Sequence, residues 1–347
     1  TKKGFKITVL SPEDGPLHQE YLQAGMAVHI LPSLLKDARV VLPYLQDQEL
    51  VLLNTILCYR VAHAIKASNL PLLFWVHESS FGQQVCRTTP SAKSAITIAD
   101  RLIFPSHATA NLYREFGSSD NHTVIHSGIN IIFPDPAHGK PPFKKTPGRL
   151  YIVVVASIES RKGQDVLLQA LKLLPADISS QVECFLIGRK LELEFSQKVV
   201  KSAKSMGNVH IVGDTPAAQV KQYLAAADVF VLPSRDEALP ISLIEAMAFG
   251  LAIIATRVGG VAEIIQDQVN GLLVEKEDPA GLAKCITNLY LDKDYRYNLG
   301  IAGKRSYQGS LTYDLFVERY HAVICALQGP IRSAAILSLQ VNRMKTH

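Results

Sequence analysis

The sequence predicts an α/β protein made of two Rossmann-like domains, each a parallel sheet wrapped by helices. The chain has 347 residues, enough for two domains of ordinary size. Short apolar runs of strand length alternate with segments whose apolar residues recur at helical spacing, the signature of parallel sheets covered by helices. The stretch 134–148, PDPAHGKPPFKKTPG, is dense in proline, glycine and lysine and reads as a linker between two bodies. Two domains joined in this way are expected to face a cleft that opens and closes.

Composition narrows the class. The hydrophobic fraction is 48% and the charged fraction 19%, as in soluble globular proteins. No apolar run approaches the roughly 20 residues that span a bilayer, and no secretory signal is visible at the start. Because the chain begins at Thr1, its natural beginning is expected to lie upstream. A net charge of +5 is modest, and no block of like charges reads as a nucleic-acid arm, so nucleic acid is not an expected partner. Cys58, Cys86, Cys184, Cys285 and Cys325 stand singly without a C-x-x-C pair. That usage favours a reducing compartment over a disulfide framework or a zinc site.

In the first half, Phe5–Leu10 alternates and then runs apolar, as a strand does, and Val28–Leu31 follows as a shorter one. Glu49–Leu53 reads as a buried strand that leads through Asn54-Thr55 into a helix over about Tyr59–Lys66. Leu72–Val76 is a further strand ending at His77-Glu78-Ser79-Ser80. Arg101–Phe104 precedes Pro105-Ser106, a helix over Ala108–Phe116 stops at Gly117, and Thr123–Ile125 is a strand. Ligands of such sheets bind beyond the carboxyl ends of the strands. His77 stands at such an end, where an imidazole can hydrogen-bond a hydroxyl or hold a proton near neutral pH. Its plainer role is to cap the sheet.

In the second half, Leu150–Ala156 opens a second sheet, followed by Ser157–Asp165 and a helix over about Val166–Leu174. Val182–Ile187 ends at Gly188-Arg189, and Val209–Val212 ends at Gly213-Asp214. Ala217–Ala226 is helical, and Asp228 precedes the apolar run Val229–Leu232. Beyond Pro233-Ser234, Pro240–Phe249 has helical spacing, with proline where a helix tolerates it best. Ile253–Thr256 is a strand, Gly259-Gly260 a turn, and Glu263 opens a short helical stretch. Asn270-Gly271 turns before Leu272–Val274, and Asp278-Pro279 begins a helix over Ala280–Tyr290. Tyr313–Ala326 is helical, with Phe316, Tyr320, Val323 and Ile324 on one face. Ile331–His347 reads as a loose tail, the alternative being an amphipathic helix for a membrane or partner.

The chemistry is expected at Val229–Gly250, a strand, an acidic loop and a helix start. The first turn of a helix offers unsatisfied N–H groups and partial positive charge, which suit a phosphate. Two carboxylates flank it: Glu237 on the loop and Glu245, eight positions on, in the helix. A carboxylate beside phosphate is useful when it accepts hydrogen bonds from hydroxyls, so the physical reading is a site for a phosphorylated, polyhydroxylated ligand such as a nucleotide sugar. Two solvated glutamates on a surface helix are the plainer alternative.

This segment resembles the E-x7-E signature of the retaining GT-B glycosyltransferases of family 4. The match continues through Glu245-Ala246-Met247-Ala248, Gly250, Ile253-Ile254-Ala255-Thr256, Val258-Gly259-Gly260 and Glu263. Lys162-Gly163 is similar to the family's K-G element, whose lysine contacts the donor phosphates. Ala156-Ser157 stands where a Gly-Arg pair is common, and Arg161 is expected to substitute for that arginine.

The resemblance implies a GT-B fold with a first domain over 1–133, a linker at 134–148, and a nucleotide-sugar domain over 149–310. A closing helix over 311–328 and the tail 329–347 follow. It also implies transfer of a sugar from a UDP- or GDP-sugar donor to a glycan or lipid-linked acceptor with retained configuration. Lys162, Arg161, Ser157 and the backbone around Leu239, Ile241 and Ser242 would face the diphosphate. Glu245 would take the ribose, and Glu237 and His77 the sugar. Gly188, Arg189 and Gly213 would lie near the nucleotide. No Asp-x-Asp pair or metal cluster is seen, so neither metal nor cofactor is expected. The expected location is the cytoplasm, with peripheral membrane contact at the inner face as a further option. The chain's Gly4–Ser11 resembles the family's second strand, so the first domain is expected to lack its opening strand and glycine-rich loop. A non-catalytic sugar-nucleotide-binding or scaffold protein on the same fold is the alternative function.

Overall fold

The computed structural model describes residues 4–117, 121–134, 142–328 and 335–340. Residues 135–141 of the expected linker and the tail residues 329–334 and 341–347 lie outside them. The chain divides into two compact units, Thr1–His126 with Val317–His347 (unit 1), and Ser127–Phe316 (unit 2). Among the described residues no helix is long and apolar enough to cross a membrane.

Among the described residues, unit 1 is built on seven parallel strands. They are β1 (Lys6–Ser11), β2 (Ala27–Ile30), β3 (Leu50–Asn54), β4 (Leu72–Trp75), β5 (Arg101–Phe104), β6 (His122–Val124) and, from the far end of the chain, a strand at Ala335–Gln340. The last strand lies between β1 and β3, with Leu337 opposite both Thr8 and Val51. Its sequence, AILSLQ, explains the placement. A strand paired on both sides and covered on both faces is apolar almost throughout, and Ile336, Leu337 and Leu339 are buried here. This corrects the expected loose tail, since residues 335–340 are an interior strand. Although the first domain is expected to lack its opening strand, the facing edges of β1 and β3 are both paired, by this strand.

Unit 2 carries β7 (Leu150–Val155), β8 (Val182–Ile187), β9 (Val209–Gly213), β10 (Val229–Leu232), β11 (Ala252–Thr256) and β12 (Leu272–Val274); the Ala335–Gln340 strand is β13. All are parallel, in the order β12-β11-β10-β7-β8-β9. Successive residues of β7 and β10 enter opposite faces. Ile152, Val154, Val229 and Val231 join one apolar cluster, and Tyr151, Val153, Phe230 and Leu232 join the other. Both faces are therefore covered, which is why these strands read as unbroken apolar runs.

Candidate active site

The unit 2 sheet is laid down outward from β7 in one direction and from β10 in the other. Between these two strands the order of winding reverses, and the loops leaving their carboxyl ends part to leave a crevice where open α/β sheets bind ligands. Residues 156–163 leave β7 and residues 233–240 leave β10, so the topology itself brings Lys162 and Glu237 together.

The contact between them is direct. The Lys162 ammonium donates to Glu237 Oε1 at 2.5 Å, and the Ser234 hydroxyl donates to the same oxygen at 2.8 Å. Lys162 is 8% exposed and Glu237 4%. Arg161 joins them, with Nη1 3.5 Å from Glu237 Oε2, a bond to the Asp236 carbonyl at 3.0 Å, and a bond from Nη2 to Glu159 Oε1 at 2.9 Å. Ser157 donates to Glu159 at 2.7 Å. Arg161 thus lies beside Glu237, and Ser157 holds the carboxylate that orients Arg161. Two cations face two carboxylates, so their charges balance.

Two glycines make this arrangement possible. Gly163 has φ +63°, and a Cβ there would stand 2.0 Å from the Pro233 carbonyl oxygen. Gly259 has φ +49°, and its Cβ would stand 1.6 Å from the carbonyl oxygen of Glu237. The first lets the Lys162 turn press on the end of β10, and the second lets the Gly259-Gly260 turn press on the Glu237 loop. Only glycine occupies such positions without displacement.

The helix Ile241–Phe249 follows this loop, with Pro240 at its cap and no side chain bonded to its first N–H groups. Leu239 is buried, Ser242 half-buried, and Ile241 exposed. Glu245, one turn in, is partly buried and has no hydrogen bond or ion pair among the described residues. Burial raises its carboxyl pKa above the usual value, and Lys221 opposes the shift. A half-buried acceptor that no protein group uses is suited to hydroxyl donors.

The turns after β8 and β9 border the same edge. The Gly188 N–H donates to the Gly213 carbonyl at 2.8 Å, and Gly188 packs against the Ala156 carbonyl. Its absent side chain lets backbone approach backbone here. Arg189 is exposed; its carbonyl accepts from the Ile158 N–H at 2.8 Å, and its side chain has no polar partner among the described residues.

Arg235 was not singled out from sequence, yet it ties the site's loops together. It donates to both oxygens of Asp165 at 2.9 Å, to Glu277, and to the Ser160 carbonyl, and its N–H donates to Arg161 O at 2.8 Å.

His77 belongs to unit 1, past the carboxyl end of β4. Its ring meets Trp75 edge-on at 5.4 Å, and Nε2 lies 3.4 Å from Glu78 Oε1. Glu78 is itself fixed: it accepts from the Thr55 hydroxyl and, at 3.1 Å, from the Ile56 N–H. Thr55 has φ +113°, a genuine outlier for a β-branched residue and a cost of about 1–3 kcal/mol. Glu78 thus emerges as the group that orients His77.

Two doubly wound parallel sheets, with a cation–carboxylate site at the reversal point of the second, are a GT-B arrangement. Anabaena Alr3699/HepE, solved in complex with UDP and glucose, superimposes with a TM-score of 0.78 over 93% of this chain and 100% of that one; at 19% identity the likeness speaks for the fold alone. Residues 139–306 match the family described as glycosyl transferases group 1. An uncharacterized glycosyltransferase, MJ1178, of Methanocaldococcus jannaschii is 30% identical over 61% of this chain and 56% of its own length. A D-inositol 3-phosphate glycosyltransferase of an Arthrobacter strain is 31% identical over 65% of this chain and 56% of its own length. The chain thus spans little more than half the length of these relatives.

Proposed function

We propose that this chain is a retaining GT-B glycosyltransferase of family 4. It moves a sugar from a UDP- or GDP-sugar to a glycan or lipid-linked acceptor. The observation that carries this reading is the buried Lys162–Glu237 pair at the point where the unit 2 sheet reverses. A relative named as a D-inositol 3-phosphate glycosyltransferase supports a hydroxylated acceptor, and the fold neighbour solved with UDP and glucose supports UDP-glucose as the first donor to try.

In the proposed reaction the donor diphosphate enters beside Lys162 and Arg161 and meets the N–H groups at Ile241 and Ser242. Lys162 turns from Glu237 to the phosphate and offsets the charge that develops as the bond to the sugar breaks. Glu237, freed of its ammonium, accepts hydrogen bonds from the sugar, and Glu245 accepts them from the ribose. The departing phosphate assists removal of the acceptor's proton. The cations and the helix end supply the charge stabilisation that a metal supplies elsewhere, so no metal or cofactor is needed.

Calorimetry with UDP and GDP, followed by assay of sugar release from the matching nucleotide sugars, tests the proposal. Binding of one nucleotide, weakened at least tenfold in Glu245→Gln, together with sugar release, is the expected result. Binding without release or transfer points to a sugar-nucleotide-binding scaffold, and no binding of either nucleotide refutes the site.

A further inference from the structure

We propose that the opposite edge of the unit 2 sheet carries a second anion site, built to hold the phosphate group of a small molecule or lipid headgroup. A cavity of about 290 Å³ opens there, at the amino ends of β7 and β10. Its walls are the segment leading into β7 and the turn between the helices Pro279–Leu291 and Lys293–Ser310. The six residues of β7, at ~3.3 Å each, put it roughly 20 Å from the crevice that holds Lys162.

Lys145, Arg149, Lys293 and Arg296 line this cavity. Two of them are matched by carboxylates. Lys145 Nζ lies 2.9 Å from Asp228 Oδ1, and Arg149 pairs with Glu183. Both carboxylates are also held elsewhere, Asp228 by the Tyr151 N–H at 2.9 Å and Glu183 by His210 at 2.7 Å. Arg296 gives one N–H to the Leu289 carbonyl and has no carboxylate partner among the described residues. The Lys293 side chain has neither hydrogen bond nor ion pair among them. Two positive charges therefore remain unmatched in one concavity, and one belongs to a guanidinium, whose fork of donors fits phosphate oxygens.

The space is at the lower end of the range of small-molecule sites. It is large enough for a phosphate with a modest organic group. Nothing in the proposed transfer reaction uses it, so its ligand would act as an effector or an anchor.

Inorganic phosphate, titrated calorimetrically at low ionic strength where surface charge is least screened, tests the site. The wild type is compared with Lys293→Glu, Arg296→Gln and Lys162→Ala. The glutamate of Lys293→Glu falls in the first turn of a long helix, where a carboxylate is favourable, so that variant retains its fold. Phosphate affinity is expected to fall at least tenfold in Lys293→Glu and in Arg296→Gln and to persist in Lys162→Ala. No phosphate binding to the wild type, loss confined to Lys162→Ala, or undiminished binding in both cavity variants would overturn the proposal. Co-sedimentation with phosphatidylcholine vesicles containing phosphatidic acid, abolished by Lys293→Glu, would assign the phosphate to a lipid. If phosphate binds the cavity and vesicles do not, the source is a soluble phosphate ester.

Discussion

Replacing Leu337 by alanine tests the strand order of unit 1. Leu337 is fully buried in β13, between Thr8 of β1 and Val51 of β3. Buried leucine-to-alanine changes cost about 2–5 kcal/mol, more where the surroundings cannot collapse into the space. A strand hydrogen-bonded on both sides has little freedom to shift, so ~4 kcal/mol is expected here. That is a large part of the 5–15 kcal/mol typical of a whole domain. At about 2–4 °C per kcal/mol for a unit of this size, Tm should fall by roughly 8–16 °C. Scanning calorimetry should show the loss in the transition of unit 1, with that of unit 2 unmoved. Ending the chain at Gln328 should abolish the unit 1 transition altogether. If Leu337→Ala shifted neither transition by more than about 1 °C, β13 would not be part of the sheet.

Four further experiments probe the site. Lys162→Ala leaves the Glu237 carboxylate buried with only Ser234 and Arg161 to hold it, and should cost about 2–3 kcal/mol in denaturant unfolding, somewhat below a fully orphaned buried charge; turnover of the nucleotide sugar should fall about 10²–10³-fold with KM little changed. For Glu245, the raised carboxyl pKa means that burial disfavours the ionised form, so stability is highest below the unfolded pKa and declines as pH rises through the raised folded value. Glu245→Gln should therefore be more stable than wild type at pH 7 and lose that advantage at pH 4, while its UDP affinity drops; an unchanged pH profile of Tm would refute the assignment. A double-mutant cycle of Arg235→Gln with Asp165→Asn should give a coupling of about 1–3 kcal/mol in donor affinity, with Arg235→Lys failing to rescue. Gly259→Ala should displace the Glu237 loop, because its Cβ would meet the Glu237 carbonyl at 1.6 Å, and nucleotide binding measured by calorimetry should be lost even where circular dichroism shows a folded unit 2.

Much of unit 2 was legible because its strands advertise themselves. Val229–Leu232 and Leu150–Val155 are apolar on both faces, and the loops that follow hold the charged residues. The sequence could not say how tightly those loops close, since that depends on Gly163 and Gly259 meeting backbone from other segments. The helix Lys293–Ser310 escaped notice because it is polar and holds Gly300, Gly303 and Gly309. Glycine lowers helix propensity, but at Gly300 a Cβ would stand 2.1 Å from the Gly250 carbonyl oxygen, so close packing requires it. β13 is not legible in the sequence because its partners are far away along the chain, with Ile336 opposite Leu50, and a six-residue strand carries no sign of a remote partner. The role of Glu78 is not legible in the sequence because it lies in the Thr55 hydroxyl and the Ile56 N–H that fix it, contacts made only by folding.

The pairing of Lys6 with Ala335 has a temporal consequence. Ser127–Phe316 is an unbroken stretch, so unit 2 can fold as it leaves the ribosome, whereas unit 1 waits with the edges of β1 and β3 unpaired until residues 335–340 arrive. At about 5–20 residues per second, the roughly 210 intervening residues take ~10–40 s to synthesise. Throughout that delay two naked strand edges can recruit strands from neighbouring nascent chains. The yield of native protein should accordingly depend on how fast translation runs and on how crowded the polysome is.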